Sequence, residues 1–120
     1  MAARLVAEGA KVVVHGRDRE EVEGVCRELG DQAAPATGDL ANPETPQALI
    51  DATVAAFGQI DGLVNNAGIY PRGEVTGTTV DFFDEIFAVN VRAPLLASEA
   101  AARAFRAQGS GGAIVTVGSI

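Results

Sequence analysis

The chemically versatile side chains in this sequence are amides. Asn65 and Asn66 stand side by side in Ile60 to Gly68, IDGLVNNAG, and Asn90 interrupts the apolar pattern FFDEIFAVNV. A carboxamide donates and accepts without carrying charge, which suits it to orienting a polar ligand. Ala67 and Gly68 follow with almost no side chain, so a flat ligand can come close to the main chain there. An Asn-Asn-x-Gly run is equally an ordinary turn. Pro94 lies four residues after Asn90 and has no N–H, so the Asn90 carbonyl loses its helical partner. The helix is expected to kink there and leave that carbonyl to water or a side chain, the alternative being a kinked helix with a satisfied, buried Asn. Ser119, after the apolar run Ala113 to Val117, is by itself a cap or turn residue.

These residues need strands and helices to hold them, and the pattern supplies both in alternation. Ile60, Leu63 and Val64 lack polar alternation and predict a strand covered on both faces, with the amides at its carboxyl end, where open α/β sheets bind ligands. Met1 to Glu8 reads as the back of a helix stopped at Gly9, and Lys11 to His15, KVVVH, as a buried strand. Asp18 with Glu21 opens a helix that carries Val22, Val25, Cys26 and Leu29 and stops at Gly30. Residues 33–38 make a weaker strand because of Pro35, with Asp39 and Leu40 at its end. Asn42-Pro43 and Thr45-Pro46 are both candidate starts for the helix closing at Gly58. A long helix is expected from about Asp81 to Gln108, then a strand from Ala113 to Val117. Gly109 to Gly112 closes a helix rather than opening one, which argues against a phosphate cradle. Strands alternating with helices predict a doubly wound parallel α/β sheet.

Composition narrows the classes. The 120 residues are 48% hydrophobic and 21% charged, one domain able to bury a core. A net charge of -7 and a pI near 4.5 disfavour nucleic acid. Cys26 is the single cysteine, so there is no intrachain disulfide, no Cys-based metal site is suggested, and a reducing cytoplasm is expected. No apolar run reaches membrane-spanning length, and MAARLVAEG lacks the apolar core of a signal peptide.

Together, LVNNAG at 63–68, Asp39-Leu40, Asn90 in FAVNVRAP and GGAIVTVGS at 111–119 resemble a short-chain dehydrogenase/reductase, in family order and over the whole chain. The resemblance implies an incomplete Rossmann-like fold, a partial NAD(P)-binding domain over residues 1–120, and hydride transfer between NAD(P) and an alcohol or ketone. It implies that Asp39 and Leu40 contact the adenine and that Asn66, Ala67 and Gly68 line the cofactor crevice. It likewise implies that Asn90 supports a proton relay through water on its freed carbonyl, and that Ser119 hydrogen-bonds the reacting oxygen. The family's first strand with its TGxxxGxG turn, and its YxxxK pair, are expected outside this sequence. Lys11 is the only lysine, and Tyr70 has Glu74 where a Lys is needed, so Tyr70 is expected at a loop or substrate rim. The chain thus reads as a fragment, inactive alone, whose sheet splits into two pairs for want of a central strand.

Gly16 stands where NAD enzymes of this fold place an acid, and Arg17 follows, which favours NADP, the alternative being a helix-start Arg beside an Asp18 cap. The helix over residues 82–107 is apolar on more than one face and is expected to pair copies of the protein. A non-catalytic interaction chain built on that helix is the competing function.

Overall fold

Three consecutive valines, Val12 to Val14, favour extended backbone. They lie in the first strand of the computed structural model, which describes residues 1–119. Helix α1 (Ala2–Ala7) reaches strand β1 (Val12–Gly16) through Gly9, whose φ of 94° suits the end of a helix. The Asp18 side chain accepts from the Glu21 N–H at 2.9 Å and starts α2 (Arg19–Leu29), which Gly30 ends. Val22 and Cys26 are the buried residues of α2. Burial, and secondarily the charge of Glu23, pushes the Cys26 thiol above its ordinary value, the mark of a packing residue rather than a nucleophile. Strand β2 (Ala33–Thr37) pairs in parallel with β1, Val12 opposite Ala33 and Gly16 opposite Thr37. Pro35 is tolerated because β2 is an edge strand bonded to β1 alone.

Of the two candidate starts for α3 (Thr45–Phe57), the helix opens at Thr45-Pro46, with Glu44 rather than Thr45 at the cap position and no side-chain cap bond. Asn42 instead shapes the preceding turn by accepting the Glu44 N–H at 2.9 Å. Gly58, in the left-handed conformation, closes α3 before β3 (Gly62–Asn65). The long helix is present as α4 (Val80–Phe87), a π-helical turn (Ala88–Arg92) and α5 (Ala93–Gln108), and leads to β4 (Ala113–Thr116), parallel to β3.

The strands form two hydrogen-bonded pairs, β1 with β2 and β3 with β4, with no ladder between the pairs. Helix packing joins them: α3 touches β1, β2 and α5, and α5 lies on β3. Ile50, Ile60, Ala100, Ala101 and Phe105 make the core of that junction, with Leu63 and Ala104 against it. The small side chains at 100 and 101 let α5 approach closely. Outside the junction, Arg103 donates to Gln47 of α3 at 2.6 Å and to Glu99 at 2.7 Å. Coverage of β3 on both faces is not found. Leu63 and Asn65 are half-buried, while Val64 is 38% exposed, and β4 is exposed throughout, because among the described residues α5 is the helix that packs on this pair.

The entry to β3 is fixed by a side chain. Gln108, the last residue of α5, accepts the Ile60 N–H at 2.8 Å and donates to the Ile60 carbonyl at 2.7 Å. Replacing it by Leu strands a donor and an acceptor on a residue that is 4% exposed. Gln108→Leu is therefore expected to lower unfolding stability by about 1 to 3 kcal/mol, with Gln108→Glu intermediate because it keeps the acceptor only. Urea titration of the three proteins measures this, and coincident midpoints would refute the role.

Candidate functional site

Within each pair the strands are parallel, so their carboxyl ends coincide: Gly16 is level with Thr37, and Asn65 with Thr116. The loops leaving those ends carry Arg17, Asp39-Leu40, Asn66-Ala67-Gly68 and Ser119. Asn90 joins them from the π-helical turn.

At the first pair the chain is tight. The Gly38 N–H donates to the Gly16 carbonyl at 3.3 Å, and the His15 Nε2 lies 2.9 Å from the Gly38 carbonyl, which requires that nitrogen to carry the proton. A Cβ on Gly16 would lie 2.7 Å from a Val22 methyl, and one on Gly38 would lie 2.6 Å from a Thr45 methyl, so both glycines are set by close approach. Arg17 is exposed, and the described residues give it no hydrogen bond or ion pair. Asp39 is exposed and turns one oxygen inward, accepting the Ala41 N–H at 2.9 Å, while Leu40 is half-buried. From the far side of the turn, Arg92 Nη2 donates to the Ala41 carbonyl at 2.5 Å.

At the second pair the adjacent asparagines separate in role. Asn65 turns inward and donates to Ser98 of α5 at 3.2 Å and to Thr116 of β4 at 3.3 Å, so it is structural. Asn66, Ala67 and Gly68 are exposed beyond the strand end. Asn90 is exposed rather than buried, and its side chain makes two bonds to one residue of the following loop: Oδ1 accepts the Ile69 N–H and Nδ2 donates to the Ile69 carbonyl, both at 2.8 Å. The irregularity expected at Pro94 takes the form of an inserted turn rather than a simple kink, since the Ala93 N–H reaches back five residues to the Ala88 carbonyl. Pro94 still offers the Asn90 carbonyl no donor. Ser119 is exposed, three residues beyond β4.

His15, Arg92 and Gln108 were not foreseen as positioning groups. Nothing in helical or strand periodicity marks a polar residue whose partner is a distant main-chain atom. Tyr70 is 88% exposed on the loop, and Lys11 lies over the Phe57 ring at 5.9 Å, so neither is built into these strand ends. Surface grooves of about 480 and 280 Å³ flank α3; the second reaches Thr37, and neither contains Arg17, Asp39, Leu40, Asn66, Ala67, Gly68, Asn90 or Ser119.

The family model for short chain dehydrogenases matches residues 1–120. The chain belongs to the short-chain dehydrogenase family. An uncharacterised oxidoreductase of Thermotoga maritima is 41% identical over 98% of this chain and 47% of its own. Among solved structures, a 3-ketoacyl-(acyl-carrier-protein) reductase from Brucella melitensis complexed with NADH superposes with a TM-score of 0.89 at 34% identity, over 98% of this chain and 50% of that one. A metagenomic short-chain oxidoreductase in complex with NADP gives 0.88 at 34% identity, over 99% and 55%. This short-chain dehydrogenase sequence therefore spans about half the length of these relatives.

The paired Asn90 bonds make a direct prediction. Asn90→Ala removes both, and at about 1 kcal/mol or more for the pair the Ile69 amide should exchange with solvent roughly five- to thirtyfold faster. Hydrogen exchange followed residue by residue reads this, and an unchanged Ile69 rate would show that the clamp does not hold the loop.

Proposed function

We propose that the whole protein is a nicotinamide-dependent oxidoreductase that moves hydride between NADP and an alcohol or ketone. The observation that carries the reading is the second strand end, where Asn66, Ala67 and Gly68 are exposed in front of a loop clamped by Asn90. The residues present fit the cofactor. An exposed Arg17 suits a phosphate, Leu40 beside the outward oxygen of Asp39 suits an adenine, and the small Ala67-Gly68 surface suits a flat ring. Bound there, a nicotinamide supplies or accepts the hydride. Ser119 is assigned to hydrogen-bond the substrate oxygen and hold the carbonyl in line. The Asn90 main-chain carbonyl is assigned to hold a water that passes the proton, while its side chain keeps the loop in place. A whole protein that binds neither NADPH nor NADH, or that oxidises neither with any of a panel of ketones, would overturn the assignment.

Preference for NADP rests on Arg17 following Gly16, and the structure adds a steric reason. An Asp at position 16 would drive its Cβ into Val22, a β-branched residue with little rotamer freedom. Arg17→Ala is expected to raise the KM for NADPH by roughly ten- to a hundredfold, a charge-assisted bond being worth about 1.5 to 3 kcal/mol, and to leave NADH little changed. Gly16→Asp should favour NADH only when combined with Val22→Ala. Equal efficiency with both cofactors in the unaltered protein would refute the preference.

Self-association belongs to the same proposal, as does a cytoplasmic location in keeping with a single free cysteine. Phe83, Phe87, Val91 and Leu95 recur every four residues and are 51, 47, 53 and 67% exposed, with the two rings stacked at 4.2 Å between centroids. A stripe of that kind suits a second copy of the same helix better than water. Val91→Glu with Leu95→Glu should convert the assembled protein to monomer in sedimentation. A wild-type protein already monomeric at micromolar concentration would refute it.

A further inference from the structure

Two side chains of one π-helical turn, Asn90 and Arg92, reach two different strand-end loops, and only the first has a role so far. Arg92 Nη2 donates at 2.5 Å to the carbonyl of Ala41, which is 51 residues away. The turn it touches is otherwise held by local bonds: Asp39 accepts the Ala41 N–H at 2.9 Å, and the Asn42 N–H donates to the Asp39 carbonyl at 3.0 Å. Among the described residues, Arg92 makes the one hydrogen bond that reaches residues 39–44 from a distant part of the chain. The start of α3 does not need it, because Asn42 and Pro46 already shape that end.

We propose that Arg92 is a positioning residue for the adenine side of the cofactor. Holding the Ala41 carbonyl fixes the turn so that Leu40 and the outward oxygen of Asp39 keep one orientation. Because Arg92 shares its turn with Asn90, the same helix also sets the spacing between the adenine-side and nicotinamide-side loops. A guanidinium suits the task, since its planar donors reach a carbonyl in fixed geometry and it keeps its charge at every working pH. The proposal rests on the oxidoreductase reading above and adds to it a residue that never touches the cofactor.

The test compares Arg92→Met, which keeps an apolar stem and removes the donors, with Arg92→Lys, which keeps a donating, charged head. In the whole protein, calorimetric titration with adenosine 5′-diphosphate and, separately, with nicotinamide mononucleotide reports the two halves of the site. Arg92→Met should weaken the adenine nucleotide roughly three- to tenfold, the range of a single charge-assisted bond at a surface, and leave the nicotinamide nucleotide within about twofold. The KM for the whole cofactor should rise by the same factor at nearly constant kcat, and Arg92→Lys should recover most of the loss. Equal weakening of both fragments, or none, overturns the positioning role while leaving the oxidoreductase reading intact. An unaltered protein that binds neither fragment nor the whole cofactor overturns both.

Discussion

Strand β3 is held at its two ends by side-chain amides from one helix, Gln108 on Ile60 and Asn90 on Ile69. A carboxamide presents a donor and an acceptor side by side, so it can satisfy both main-chain groups of one residue as a neighbouring strand would. The lengths agree. From Asn90 to Gln108 the helix rises about 27 Å at about 1.5 Å per residue. The chain from Ile60 to Ile69, of which Gly62–Asn65 is strand, can reach at most about 30 Å at about 3.3 Å per residue. Two anchors at that separation fix the register of helix on strand, since sliding by a single helical turn of about 5.4 Å would break both. The core between them, Ala100, Ala101 and Phe105 on Ile60 and Leu63, can then be close-packed in only one way. The exposed Asn66 to Gly68 segment inherits that rigidity because it lies between the strand and the second anchor.

The π-helical turn gives one helix two reaches. Residues two apart on a helical turn point to nearly opposite sides, and Asn90 and Arg92, both in the π-helical turn, accordingly address different loops. Asn90 meets the loop after β3 and Arg92 the turn after β2, two segments that share no strand ladder. The inserted turn falls just before Pro94, where the missing N–H makes regular α-helical bonding impossible in any case. The helix concedes its irregularity where the sequence already forces one, and uses it to tie the two strand pairs at their carboxyl ends. The α3–α5 junction ties them along their length.

Local signals in the sequence were legible because their partners are local. The Asp18 cap is answered three residues later, and Gly30, Gly58 and Gly109 end their helices at positive φ. The motif residues also fall where the reading placed them, after the carboxyl ends of parallel strands. An apolar run predicts that β3 is covered on both faces, but it reports that a surface is greasy and not which neighbour lies on it, and Val64 remains 38% exposed. Pro94 announced an irregularity without saying whether the chain would bend or insert a residue. Gln108 and Arg92 gave no signal at all: each is a polar residue on a helix, and its partner lies 48 or 51 residues away.

A net charge of -7 is at first sight a poor match for a phosphorylated cofactor. The distance scale resolves it. At physiological ionic strength exposed charges more than about 8 Å apart are largely screened, so the acidic surface as a whole acts weakly at the strand ends and the nearest groups decide. The two acids beside the first strand pair are both turned to main-chain donors, Asp18 to the Glu21 N–H at the start of α2 and Asp39 to the Ala41 N–H. Each carboxylate thereby spends part of its field on a local dipole. Arg17 makes no hydrogen bond or ion pair among the described residues, so its side chain is not committed at that strand end. A carboxylate held as a cap or turn keeps its charge but is fixed in place, so the Arg17 guanidinium stays out of an ion pair and can meet a phosphate.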